Sequence, residues 1–271
     1  MTVDNSQDSD GFEFITFDRL EGHVLKVTVD RPDSDLNAVN GQLHHELTRL
    51  MAALKEERDA RCIVLTGAGK AFSAGGDFGW FPTLQTPGSL EDLRQEAKNL
   101  IWDMLDIQIP IVAAINGHAV GLGASIGLLC DIIFVAESAI ISDPHVNVGI
   151  VAGDGGTIIW PLAVGPALAK QYLLTGDPID AAEAHRIGLV NFVSSNEACV
   201  DDAVAYATRL AAKAPLAVQY TKVAVNKLLK DAANTAFDTA TALELLTFQS
   251  EDHPEALAAM AEKRTPNFKG R

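Results

Sequence analysis

Three short apolar runs, RCIVLTG (61–67), IPIVAAING (109–117) and DIIFVAES (131–138), alternate with segments of helical period, and this alternation constrains the fold more than any other feature. Continuous apolar runs of this length read as short buried strands. The segments between them supply helices. From Asn40 to about Asp59 the apolar positions Leu43, Leu47, Leu50, Met51 and Leu54 recur at three and four, with Asn40 in the N-cap position. A second helix is expected from about Ser89 to Ile107, ended by Pro110. The small-residue run GLGASIGLLC (121–130) reads as a helix buried on most faces. Together these elements make an α/β fold.

Ahead of them, FEFITFDRL and HVLKVTVDRP alternate apolar and polar residues about Glu21 and Gly22, the pattern of a β-hairpin. After about Gly156 helical periods dominate, apart from the apolar stretch GLVNFV. Helices are expected at 166–175, 180–186, 196–213, 215–231, 234–249 and 253–262. The chain thus divides into an acidic tail (1–10) expected to be disordered, an α/β core (11–195) and a helical C-terminal region (196–271).

The chemistry of the surface narrows the partners. A formal net charge of -15 repels nucleic acid and anionic membranes, so neither is an expected partner. No apolar run reaches the roughly 20 residues of a membrane helix, and the polar start MTVDNSQDSDGFEF is unlike a secretory or transit peptide. A cytoplasmic location is expected. Cys62, Cys130 and Cys199 lie far apart with no metal-binding spacing, so neither a disulfide framework nor a metal site is suggested.

In AFSAGGDFGW (71–80) two glycines and an aspartate follow a buried strand. One reading is a tight turn, since glycine is common turn punctuation. Another is that backbone amides are left bare so that a ligand oxygen can reach them.

Four segments, LNAVN (36–40), AFSAGGDF (71–78), AAINGHAVGLGAS (113–125) and AEKRTPNFKGR (261–271), together resemble the crotonase superfamily, also called the enoyl-CoA hydratase/isomerase family. The resemblance covers nearly the whole chain. It implies a crotonase (ClpP-like) spiral of stacked β-β-α turns, with a helical C-terminal region that builds homotrimers, often paired into hexamers. It implies an acyl-CoA substrate, coenzyme A being part of that substrate, with no permanently bound cofactor.

By position in the motifs, the amides of Gly76 and Leu122 would form an oxyanion hole. Two such preorganised donors supply about 3 to 4 kcal/mol each to a developing enolate. Leu36, Ala38, Ala74, Gly75 and Asp77 would border the CoA moiety, and Lys263 would meet its phosphates. The plainer readings are a turn or cap role for Asp77 and a capped surface helix for Lys263 and Arg264.

Where hydratases of this family carry two catalytic glutamates, this chain has Ser125 and His145. Serine is no base unless another residue activates it, whereas histidine titrates near neutrality. Asp154, nine residues after His145, can fold back to hold the imidazole, or simply cap the helix that follows. His118 reads as structural, and His44, His45 and His185 as surface or packing residues.

The segment PHVNVGIVAGDGGTIIWPLAVG also resembles a divergent branch, the β-diketone hydrolases typified by 6-oxocamphor hydrolase, which cleave C–C bonds without CoA. The tail SEDHPEALAAMAEKRTPNFKGR resembles the CoA-using members instead. The first expectation is therefore an acyl-CoA enzyme that stabilises a thioester enolate. His145 is its acid/base, Asp154 the orienter and Ser125 at most a hydrogen bond to water or substrate. The second is a β-diketone C–C hydrolase using the His145/Asp154 dyad, and the third a non-catalytic binding protein of the same fold.

Overall fold

The computed structural model describes residues 11–84 and 86–271. The acidic stretch 1–10, expected as a disordered tail, lies outside the described residues.

Strands β1 (Ile15–Leu20) and β2 (Val24–Val29) form the expected antiparallel hairpin. The three apolar runs become β3 (Cys62–Gly67), β5 (Ile111–Ile115) and β7 (Ile132–Ala136), which lie side by side and parallel. With β10 (Phe192–Ser194) they complete a six-stranded sheet in the order β1-β2-β3-β5-β7-β10.

A second, four-stranded sheet holds β4 (Ala71–Ser73), β6 (His118–Val120), β8 (Ile140–Ser142) and β9 (Ile179–Asp180) in that order. Each long strand β3, β5 and β7 is followed at once by a short strand of the second sheet. The chain therefore climbs as a spiral of β-β-α turns, as the resemblance implies. Strands of two or three residues are too short to show a period, and none of the four was expected.

Helix α1 (Gly41–Lys55) starts as read, with the Asn40 side chain accepting the Leu43 N–H at 2.9 Å. Helix α2 (Pro87–Asp106) opens with a capping box between Thr86 and Ser89. All seven residues of α3 (Leu122–Leu128) are buried.

Three expected helices are corrected. The one placed at 166–175 begins at Gly156 and runs to Thr175 as α4, broken where Gly165 takes φ 80° and ψ 159° just before Pro166. Those at 215–231 and 234–249 are one continuous helix. Helices α5 (Ala181–Arg186) and α6 (Cys199–Ala211) precede it, and α8 (Asp252–Ala261) follows it.

The long helix, α7 (Pro215–Phe248), closes the break expected between residues 231 and 234 because Ala233, Phe237 and Ala240 are buried there, against α2 and α4. Its position is pinned near its start by polar contacts. Lys222 donates to the Ile109 carbonyl at 2.9 Å and pairs with Asp131 at 2.7 Å, while Asn226 donates to the Leu105 carbonyl at 3.0 Å. These contacts set where the far end of α7 meets the core.

Candidate active site

The loop after β4 carries the paired glycines. Gly75 takes φ 76°, and a Cβ there would stand 2.5 Å from the Val120 carbonyl oxygen, so only glycine fits this turn. The Val39 N–H donates to the Gly75 carbonyl at 2.7 Å, and the Asp77 N–H to the Val39 carbonyl at 2.9 Å. That bridge leaves the Gly76 N–H between them with no acceptor among the described residues. The glycines thus make a tight turn and leave an amide bare.

Leu122 is the first residue of α3, so its N–H precedes the helix's own ladder. Both residues line one pocket, open at its mouth.

Arg31, which sequence reasoning passed over, ties this loop down. Its guanidinium donates to the Ala38 carbonyl at 2.6 Å and to Asp77 at 2.7 Å, and it also pairs with Asp33. The other Asp77 oxygen accepts the Gly79 N–H at 2.8 Å. Both Asp77 oxygens are therefore engaged in shaping the loop.

Leu36 is exposed, its carbonyl accepting the Ala74 N–H at 2.9 Å, and Ala38 and Ala74 are half-buried on the same edge. Lys263 lies exposed just past α8, with φ 53° and no ion pair among the described residues.

His145 opens a 3-10 turn (His145–Val148) directly after β8, and its ring sits between two carboxylates. Nδ1 makes a short hydrogen bond to Asp143, and Nε2 lies 3.3 Å from Asp154. The carboxylate on Nδ1 is thus Asp143, two residues upstream, while Asp154 addresses the other nitrogen. Sequence reasoning missed Asp143, although SDPH places it beside the histidine.

Burial alone would push the imidazole pKa down, but the charges of Asp154 and Asp143 outweigh it and hold it well above the ordinary value. The same pairing holds Asp154 below the usual carboxylate range despite its burial, helped by hydrogen bonds from His145, Ser125 and Gly156. Ser125 donates to Asp154 at 3.1 Å, so its hydroxyl supports that carboxylate. Asp154 is not the N-cap of α4; Gly155 takes that place, and Asp154 accepts the Gly156 N–H.

A fourth ionisable group completes the pocket. Glu244, on α7, lines it beside His145 and Asp154. Burial, and then the negative charge of Asp154, pushes its carboxyl up to about 8, so at neutral pH it carries its proton. Its only trace in the sequence is an acid inside the apolar run TALELLTF, some ninety residues from its partners.

Asp143, His145 and Asp154 place ligand atoms within 4.8 Å of one another. The carboxylates address opposite nitrogens of one ring, an arrangement for moving protons along a line and not for chelating an ion between them. His118 accepts the Ile140 N–H at 3.2 Å and serves the sheet. His45 and His185 are exposed as expected, whereas His44 is buried and lines the pocket.

A sequence profile described as enoyl-CoA hydratase/isomerase matches residues 19–271. The 2,3-dehydroadipyl-CoA hydratase of Escherichia coli strain K12 is 32% identical, over 92% of this chain and 96% of its own. A crystal structure of an enoyl-CoA hydratase/isomerase from Mycobacterium paratuberculosis superposes with a TM-score of 0.85 at 40% identity, covering 90% of this chain and 97% of that one. A β-diketone hydrolase from the cyanobacterium Anabaena sp. PCC 7120, bound to (S)-3-oxocyclohexyl acetic acid, superposes with a TM-score of 0.85 at 31% identity, covering 91% and 98%.

Proposed function

The chain belongs to the enoyl-CoA hydratase/isomerase family, and within it we propose that this protein adds water across the C–C bond between two carbonyls, cleaving a β-diketone. The observation that carries this reading is the buried imidazole of His145 held between Asp143 and Asp154, next to the protonated carboxyl of Glu244. Neighbouring acids whose environments drive their pKa values apart mark an acid and a base. Here Asp154 is held low with His145, and Glu244 is held high.

Once His145 has lost the proton that Asp154 and Asp143 favour on it, Nε2 takes a proton from water, and the hydroxide adds to one carbonyl carbon. Collapse of that adduct forms the carboxylic acid and breaks the C–C bond, whose electron pair leaves as an enolate of the second carbonyl. The bare Gly76 and Leu122 amides hold the enolate oxygen, and the dipole of α3 adds a term of the same sign. Glu244 protonates the enolate carbon and recovers its proton from the imidazolium. A carboxylate partner on Nδ1 holds the imidazole in orientation, the part Asp143 plays here.

A second reading, hydration of a 2-enoyl-CoA, is favoured by the hydratase relative that matches along almost the entire chain. The same groups would then deliver hydroxide to the β-carbon and a proton to Cα. Leu36, Ala38, Ala74 and Gly75 would border the CoA moiety, with Lys263 near its phosphates.

Product analysis in heavy-oxygen water separates the two. Label in a new carboxylate, with the carbon skeleton cut, supports hydrolysis. Label at the β-carbon of an intact acyl-CoA overturns it in favour of hydration. Running the panel with free β-diketones and with β-ketoacyl-CoA thioesters shows which carrier is accepted.

A further inference from the structure

His44 lines the same pocket as His145 and Glu244, yet no step of the reaction above uses it. Its side chain is 3% exposed, and its Nδ1 lies 2.7 Å from Glu96 on α2. The other Glu96 oxygen holds Nδ1 of the exposed His45, also at 2.7 Å. Although burial pushes it up, the two imidazole hydrogen bonds hold the Glu96 carboxyl below its ordinary value. An ionised carboxylate only accepts, so both histidines must donate their Nδ1–H to it.

In the neutral His44 ring that leaves Nε2 as a lone-pair acceptor. This nitrogen has no hydrogen-bond partner among the described residues. The ring is confined by Trp80, whose centroid is 5.4 Å away, and the wall around it is formed by Val39, Leu93 and Ala97. Nε2 is not sealed from solvent, so it stands as an acceptor open to a donor that enters the pocket.

We propose that His44 is a specificity-determining residue that accepts a hydrogen bond from a substrate hydroxyl, so that the protein selects hydroxylated β-dicarbonyl compounds over their deoxy analogues. This rests on the β-dicarbonyl reading of the site. Glu96 acts through His44 by fixing its tautomer, which makes it a positioning residue.

The test is calorimetric binding, which needs no turnover. The probes are cyclohexane-1,3-dione against its 5-hydroxy derivative, and acetoacetyl-CoA against its 4-hydroxy derivative. On the unaltered protein the hydroxylated member of at least one pair should bind roughly 10- to 100-fold tighter. His44→Leu should collapse that ratio towards unity, His44→Gln should retain part of it through its amide oxygen, and His45→Leu should keep it whole. Equal binding of both members by the unaltered protein, or an undiminished ratio in His44→Leu, overturns the proposal. If only the CoA pair binds, the ratio is read there, and the free-diketone carrier fails without touching His44. Binding of neither pair overturns the β-dicarbonyl reading and this proposal together.

Discussion

Glu244 is a buried carboxyl that keeps its proton to about pH 8, beside an aspartate that has lost its own. Because its folded pKa is raised above the unfolded value, the stability it contributes is full below about pH 4.5. It is lost as pH rises through about 8. Glu244→Gln, which cannot ionise, should therefore melt higher than the unaltered protein above pH 8, and a differential scanning measurement across that range checks it. The same substitution removes the proton donor, so kcat should fall by about 10² to 10⁴, and the alkaline limb near pH 8 should vanish from the residual rate. At His145 the acid limb is the informative one. Asp143→Asn deletes one of the two charges that raise the imidazole pKa, so the acid limb of the pH–rate profile should move to lower pH as the rate drops. An acid limb that stays in place would detach Asp143 from the proton chain. His145, Asp154 and Ser125 were legible in the sequence because they share two short motifs. Glu244 was not, because an acid on a helix gains chemical meaning only from what that helix is packed against.

The long elements were legible where one periodicity ran for several residues: α1 with its Asn40 cap, α2, and the buried strands β3, β5 and β7. The strands of the second sheet were not, since two or three residues carry no period. The continuity of α7 was hidden because the burial of Ala233 and Phe237 that carries it across the expected break comes from tertiary packing. Yet the second sheet places the candidate site, with β4 carrying the paired-glycine loop and β6 and β8 delivering α3 and His145. Helix α3 lies so close to β4 that a Cβ on Gly123 would stand 2.4 Å from the Ser73 carbonyl oxygen. Gly123→Ala should therefore lower stability by about 1 to 3 kcal/mol and displace the Leu122 amide. Denaturant titration with parallel kinetics checks both, and an unchanged midpoint would mean that the contact relaxes freely.

At the scale of the molecule, α7 leaves Leu216, Tyr220, Val223, Leu228 and Leu246 exposed. We expect a homotrimer or a pair of trimers in solution. Sedimentation equilibrium at micromolar concentration checks this, and a monomer there would discard it. The last residues of the chain fold back onto the first turn of α8. The Lys269 and Gly270 N–H groups donate to Asp252 at 2.5 and 2.9 Å, the Asn267 N–H and Arg264 hold Glu255, and the Arg271 carbonyl accepts the Glu251 N–H at 2.8 Å. His253, on that same turn, donates to the Val148 carbonyl at 2.7 Å, at the end of the 3-10 turn that His145 begins. Loosening these contacts would thus work as a remote brake on the imidazole, slowing turnover while every pocket side chain stayed chemically intact.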